Sequence, residues 1–189
     1  LRRDVVGCNG NPFTADDVIY TYARAKSISG SAPIGWFLAN VSSIANFTPA
    51  VFGDENARKL GDEVTKVNDH LVRIKQSGPN PLLEPVLTIF ASQILDEEQM
   101  RENATGDDPW SHNYNNNENA PGFGPWCLDS WDKGAEFRVR ANPNYYRGKP
   151  AYDKVIVRRV PASSRTGMWP RCAWDRFRFP SGSARPSRE

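Results

Sequence analysis

The chain has 189 residues, 39% of them hydrophobic and 24% charged, enough for one domain or a piece of a larger one and too ordered in composition for a disordered chain. The net charge of +2 is unevenly spread: residues 165–189 hold six Arg and two acids, so residues 1–164 are mildly acidic. That excludes a basic stripe on the folded body, the usual footprint of a nucleic-acid binder.

In chain order, the turn signal Asn9-Gly10-Asn11-Pro12 is followed by Phe13-Thr14-Ala15-Asp16-Asp17-Val18. Thr14 is placed to cap a helix by accepting from the Asp17 amide, and Asp17 stands where the acid of a capping box stands. Val18, Tyr22 and Ala25 recur at helical spacing and predict one buried face. Asp16 and Asp17 are adjacent, so they point apart on a helix and suit a cap better than a catalytic carboxylate pair. Residues 27–33 predict a loop, Trp36-Phe37-Leu38 a new apolar patch, and the charged residues 54–62 a helix.

Val64 to Val67, a turn at Asn68-Asp69-His70, and Leu71 to Lys75 predict a hairpin with one wet face. Leu82 to Phe90 predicts a helix despite Pro85, and the polar stretch 107–122 a loop or linker between sheets. Trp126-Cys127-Leu128, a turn at Asp132-Lys133-Gly134, and Glu136 to Ala141 predict a second hairpin, with Phe137, Val139 and Ala141 on one face. Val155 to Val160 predicts a further strand. From Arg165 the periodicity stops in an Arg/Trp/Pro/Ser-rich tail without Lys, Ile, Leu or Val.

Candidate chemistry is sparse. Cys8, Cys127 and Cys172 are far apart, with no CxxC or Cys/His cluster, and are expected as unpaired thiols. His70 and His112 have no neighbours at metal spacing and are expected to face solvent. Gly122-Phe123-Gly124 is followed by Pro125, which argues against a dinucleotide loop, and neither a nucleophile elbow nor a phosphate loop occurs. The expectation is therefore no catalytic residue, no metal and no cofactor. No run of apolar residues is long enough for a membrane-spanning helix.

Three ordered segments resemble the family 5 extracytoplasmic solute-binding proteins, which serve ABC transporters. The first is Asn9-Gly10-Asn11-Pro12-Phe13-Thr14-Ala15-Asp16-Asp17-Val18. The second is Asp69-His70-Leu71-Val72-Arg73-Ile74 leading to Pro79-Asn80-Pro81-Leu82-Leu83. The third is Gly122-Phe123-Gly124-Pro125-Trp126, then Trp131, then Ala141-Asn142-Pro143-Asn144-Tyr145-Tyr146-Arg147-Gly148-Lys149-Pro150. Phe123 stands where the family usually has Thr, Trp126 where it has Tyr, and Val6-Gly7-Cys8 where it has an apolar residue and an aromatic.

The resemblance implies an α/β fold of the type II periplasmic-binding-protein kind, with residues 1–164 forming part of the first lobe and its small subdomain. It implies capture of a peptide or similar small solute outside the cytoplasm, in the periplasm, and delivery to ABC transporter permease subunits, with no nucleic acid involved. Trp36, Phe37, Asn115 and Asn116 are the candidate ligand contacts, because in relatives the loop after the first helix approaches the cleft; the competing reading packs the two aromatics in the lobe core. The chain opens without a signal-peptide pattern, and the resemblance implies that the opening strands of the lobe and the second lobe are missing. The tail at 165–189 is expected to be disordered and reads as translation in a wrong frame. Solute binding by this chain alone is then expected to be impaired. The alternative is a non-transport remnant whose basic tail binds nucleic acid or an anionic membrane.

Overall fold

The computed structural model describes residues 1–28, 34–47, 59–88 and 92–160. The predicted tail, Cys172 and residues 54–58 of the predicted charged helix lie outside the described residues. Leu1–Val157 forms one compact unit.

Helix α1 (Ala15–Ser27) begins as its sequence dictates. Thr14 Oγ1 accepts from the Asp16 amide at 3.2 Å, Asp17 Oδ2 accepts from the Thr14 amide at 2.7 Å, and both halves of the capping box are present. Asp17 does more than cap. It is buried, and its second oxygen accepts from the Glu97 amide at 2.9 Å, tying α1 to a helix 80 residues away. Burial pushes the Asp17 carboxyl above its ordinary value of 3.8, against the pull of the Glu97 and Thr14 amides. Asp17→Ala removes its half of the capping box and leaves the part-buried amides of Thr14 and Glu97 without their acceptor, so a loss of about 2 to 4 kcal/mol is expected in urea unfolding. A loss below about 1 kcal/mol would reduce Asp17 to an ordinary cap.

Val18, Tyr22 and Ala25 of α1 form the predicted buried face. They pack with Leu38 and Ala39 of α2 (Ile34–Asn40), with Ile44 and Phe47, and with Val64 of β1 (Val64–Asn68). β1 pairs antiparallel with β2 (Leu71–Ile74) around the predicted turn, and Val72 and Ile74 rest against the core. The Asp69 carbonyl of that turn accepts from the Ala15 amide at 2.8 Å, so the hairpin seats the start of α1.

The second sheet has the order β3-β4-β5, with β3 at Trp126–Asp132, β4 at Glu136–Ala141 and β5 at Lys154–Arg158. β3 and β4 form the predicted antiparallel hairpin, with Trp131 opposite Phe137, and Gly134 takes the positive φ of 85° that the turn requires.

Several expectations are corrected. Of the helix predicted over 82–90, the described residues 82–88 form α3 (Leu83–Val86), where Pro85 is tolerated within a first turn, and residues 89–90 lie outside the described residues. Residues 59–62 are irregular, with bends at Lys59 and Asp62, rather than helix. The polar stretch 107–122 contains α5 (His112–Asn117): Asp108 accepts from the amides of His112 and Asn113 at 2.8 and 2.7 Å and so caps it from outside. The preceding α4 (Glu97–Glu102) was not foreseen, although Asp96 and Gln99 stand at cap spacing and Asp96 accepts from the Gln99 amide.

The cysteine expectation is overturned as well. Cys8 and Cys127 form a disulfide with their Cα atoms 5.7 Å apart, joining the N-terminal segment to β3. Pairing across 119 residues carries no local spacing signal. Both histidines are half-buried rather than solvent-facing. His70 Nδ1 has no hydrogen-bond partner among the described residues, and His112 Nδ1 lies 3.0 Å from Arg24.

Candidate functional site

Two of the family-like segments fold onto one another. Phe13, at the entry to α1, and Phe123, in the glycine-rich turn before β3, have ring centroids 4.9 Å apart. Gly7 lies beside this contact: a Cβ there would stand 3.0 Å from Asn9 Oδ1, 3.2 Å from Asp96 Oδ2 and 3.5 Å from the Phe123 ring, so the Asn9 and Asp96 side chains would have to give by a few tenths of an ångström. The antiparallel bridge Leu95–Gly122 holds the same turn from the other side.

These pieces wall an open groove of about 720 Å³, with Phe13, Phe123, Trp126, Tyr146 and Leu87 as its apolar lining and Arg2 at its rim. The Arg2 guanidinium sits 4.4 Å over the Tyr146 ring and pairs with Asp4 at 2.6 Å. That hydrogen bond raises Arg2 and lowers Asp4 from their ordinary values. Both are exposed, so water and salt screen the pair. The groove offers an aromatic wall and one cation, which suits an apolar group more than a reacting centre. Phe13, Phe123, Trp126 and Tyr146 stand in the family-like segments and Leu87 in the predicted helix over 82–90, whereas Arg2 carried no signal.

The four predicted contact residues lie elsewhere. Trp36 on α2 is 48% exposed, and Phe37 beside it is half-buried. Asn115 on α5 is half-buried with Oδ1 unpartnered among the described residues, while Asn116 is exposed. None of the four lines the groove. Among the described residues no three His, Cys, Asp or Glu side chains are grouped to hold a metal, and no helix is long and apolar enough to cross a membrane.

Residues 1–168 match the family described as bacterial extracellular solute-binding proteins, family 5 Middle. Di/tripeptide-binding protein 4 of Pseudomonas aeruginosa is 31% identical over 145 residues, covering 76% of this chain and 25% of that protein. Di/tripeptide-binding protein 2 of the same organism is 28% identical over 153 residues, covering 77% of this chain and 25% of that protein. Among solved structures, the Escherichia coli murein tripeptide-binding protein MppA superposes with a TM-score of 0.67 at 21% identity, over 85% of this chain and 30% of that one. Peptide-bound OppA of Listeria monocytogenes gives a TM-score of 0.65 at 22% identity, over 85% and 30% of the two chains.

The chain thus spans a quarter to a third of the length of the relatives it matches. Its architecture is that of part of a type II periplasmic binding protein, as expected from the three segments. With the family match, the shared fold and the converging signature segments in agreement, this chain belongs to the family 5 bacterial extracellular solute-binding proteins.

Proposed function

We propose that this chain is part of the substrate-binding component of an ABC transporter for short peptides or related solutes. The observation that carries the reading is the family match over residues 1–168, joined by relatives whose names specify di- and tripeptide binding. The protein works outside the cytoplasm, in the periplasm, and hands its solute to permease subunits in the membrane. The Cys8–Cys127 disulfide supports that location, because such bonds persist in oxidising compartments. No chemistry is performed on the solute, and nucleic acid is not a partner. Residues 1–164 act as a partial binding domain.

Solute contact is assigned to Trp36, Phe37, Asn115 and Asn116. An aromatic ring left 48% exposed and a buried amide oxygen without a partner among the described residues are groups that a ligand would satisfy. Capture in this family fold requires closure of two lobes around the ligand. A chain spanning a quarter of its relatives is therefore expected to bind di- and tripeptides only weakly by itself.

Calorimetry tests both statements. A complete protein carrying these residues is expected to bind a tripeptide with Kd on the order of 1 µM, against about 1 mM or weaker for the 189-residue chain. In the complete protein, Trp36→Ala is expected to weaken binding about tenfold and Leu87→Ala, on the groove wall, to leave it unchanged. The reverse pattern would move the site to the groove, and micromolar binding by the short chain would refute its impairment.

A further inference from the structure

The junction between α1 and the turn entering α5 is polar and buried. Arg24 is 8% exposed; its Nε donates to the Trp110 carbonyl at 3.0 Å, and its Nη2 lies 3.0 Å from His112 Nδ1. A guanidinium has no acceptor and keeps its protons throughout the ordinary pH range. His112 Nδ1 must therefore accept this bond, which fixes a neutral imidazole with its proton on Nε2.

The groups that act on this imidazole are Arg24 from α1 and Asp108 from the turn before α5; Tyr20 of α1 and Glu97 and Arg101 of α4 flank the cluster. The Asp108 carboxylate is already engaged by the amides of His112 and Asn113. Ser111, buried between them, sits at a φ of 51° and donates to the Met100 carbonyl at 2.5 Å. A non-glycine residue in that region is held there by its surroundings.

We propose that His112 is an acid-sensitive latch: protonation of Nδ1 removes the acceptor that Arg24 needs, sets two cations side by side, and loosens α5 from α1, leaving the Tyr20 and Arg24 bonds to the Trp110 carbonyl as the remaining tie. Because α5 carries Asn115 and Asn116, acidification would also loosen solute contact; that second half rests on the site assignment above.

The direction of titration agrees. Burial and the Arg24 charge hold His112 below its ordinary value of 6.5, with Asp108 opposing. The released imidazole takes a proton near 6.5 and the latched one only at lower pH. The latch is therefore closed above that value and weakens as pH falls through it.

Amide hydrogen exchange on the 189-residue chain, at about pH 7.5 and about pH 5.5 and corrected for intrinsic rates, reads the latch without any ligand. Protection of residues 108–117 is expected to fall several-fold more than that of α1 on acidification, with about tenfold the ceiling for one imidazole released at 6.5. His112→Gln offers a neutral acceptor in the same place and is expected to keep that protection at both pH values. An equal loss in the variant, or no selective loss in the native chain, overturns the proposal. The native imidazole can also be followed by NMR: a midpoint below 6.5 is expected, and one above it overturns the latch as well. Tripeptide affinity of the complete protein is expected to fall with acid in the native sequence and to hold in His112→Gln. Affinity that ignores pH while exchange responds would overturn the coupling to solute and leave the latch standing.

Discussion

Reducing the Cys8–Cys127 disulfide is expected to destabilise the folded unit by about 4 kcal/mol. The closed loop spans 119 residues, and a cross-link stabilises chiefly by removing conformations from the unfolded chain, by about 4.7 kcal/mol for a loop of about 100 residues. Native contacts partly hold the N-terminal segment without the bond: the Phe13 amide donates to the Val5 carbonyl at 2.9 Å, and Asn142 Nδ2 donates to the Val6 carbonyl at 3.3 Å. For a unit of this size the loss corresponds to a fall of about 10 °C in Tm. Calorimetry with and without dithiothreitol reads it directly. The Cys8→Ser/Cys127→Ser double variant should melt at the reduced temperature and ignore the reductant. Tm values that agree within about 2 °C in all conditions would mean that the bond contributes nothing to the folded chain.

Breaking the Lys26–Glu63 pair should cost a similar amount by a different route. The two side chains are 2% and 1% exposed, and Lys26 Nζ also donates to the Lys59 carbonyl at 3.1 Å and stands 5.2 Å from the centroid of the Phe47 ring. Lys26→Met leaves a buried carboxylate without its cation, and a loss of about 3 to 5 kcal/mol is expected in urea unfolding. Lys26→Met/Glu63→Leu removes both charges and should recover most of that loss, since a buried pair is worth little net against apolar side chains of similar volume. A double variant no more stable than Lys26→Met would show that the pair itself holds the core.

The same pair sets an acid limit. Burial pushes the Glu63 carboxyl up, but its bond to Lys26 and the backbone amides, including that of Gly61, prevail and hold it below its ordinary 4.5. A lowered carboxylate contributes stability that is present above that value and is lost as pH falls through its folded value. The Lys26→Met/Glu63→Leu protein should therefore lose less stability than the native chain below about pH 4.5.

Part of this was written in short-range chemistry. The Thr14–Asp17 cap, the turn at Asp69–His70 and the Lys133–Gly134 turn each rest on interactions within a few residues, and the strand predicted at 155–160 forms at 154–158. Helix α4 had such a signal too, in Asp96 and Gln99. Helix α5 did not, because Ser111 is left-handed and its cap comes from Asp108, four residues before His112. The candidate contacts Trp36, Phe37, Asn115 and Asn116 came from the resemblance alone, and the groove at Phe13 and Phe123 escaped because each phenylalanine looked like scaffold where it stood.

The family, the two hairpins and the amphipathic face of α1 were legible in the residues alone, since a motif's identity and the period of its apolar residues need no partner from elsewhere in the chain. Only the tertiary structure decided that Cys8 meets Cys127, that Arg24 meets His112 across 88 residues, and that Lys26 is buried against Glu63 across 37. The physical reason is that a long polar side chain ordinarily keeps its charged end in water. It enters the interior only where the fold brings a complementary group to it, and no local preference specifies which distant group that will be.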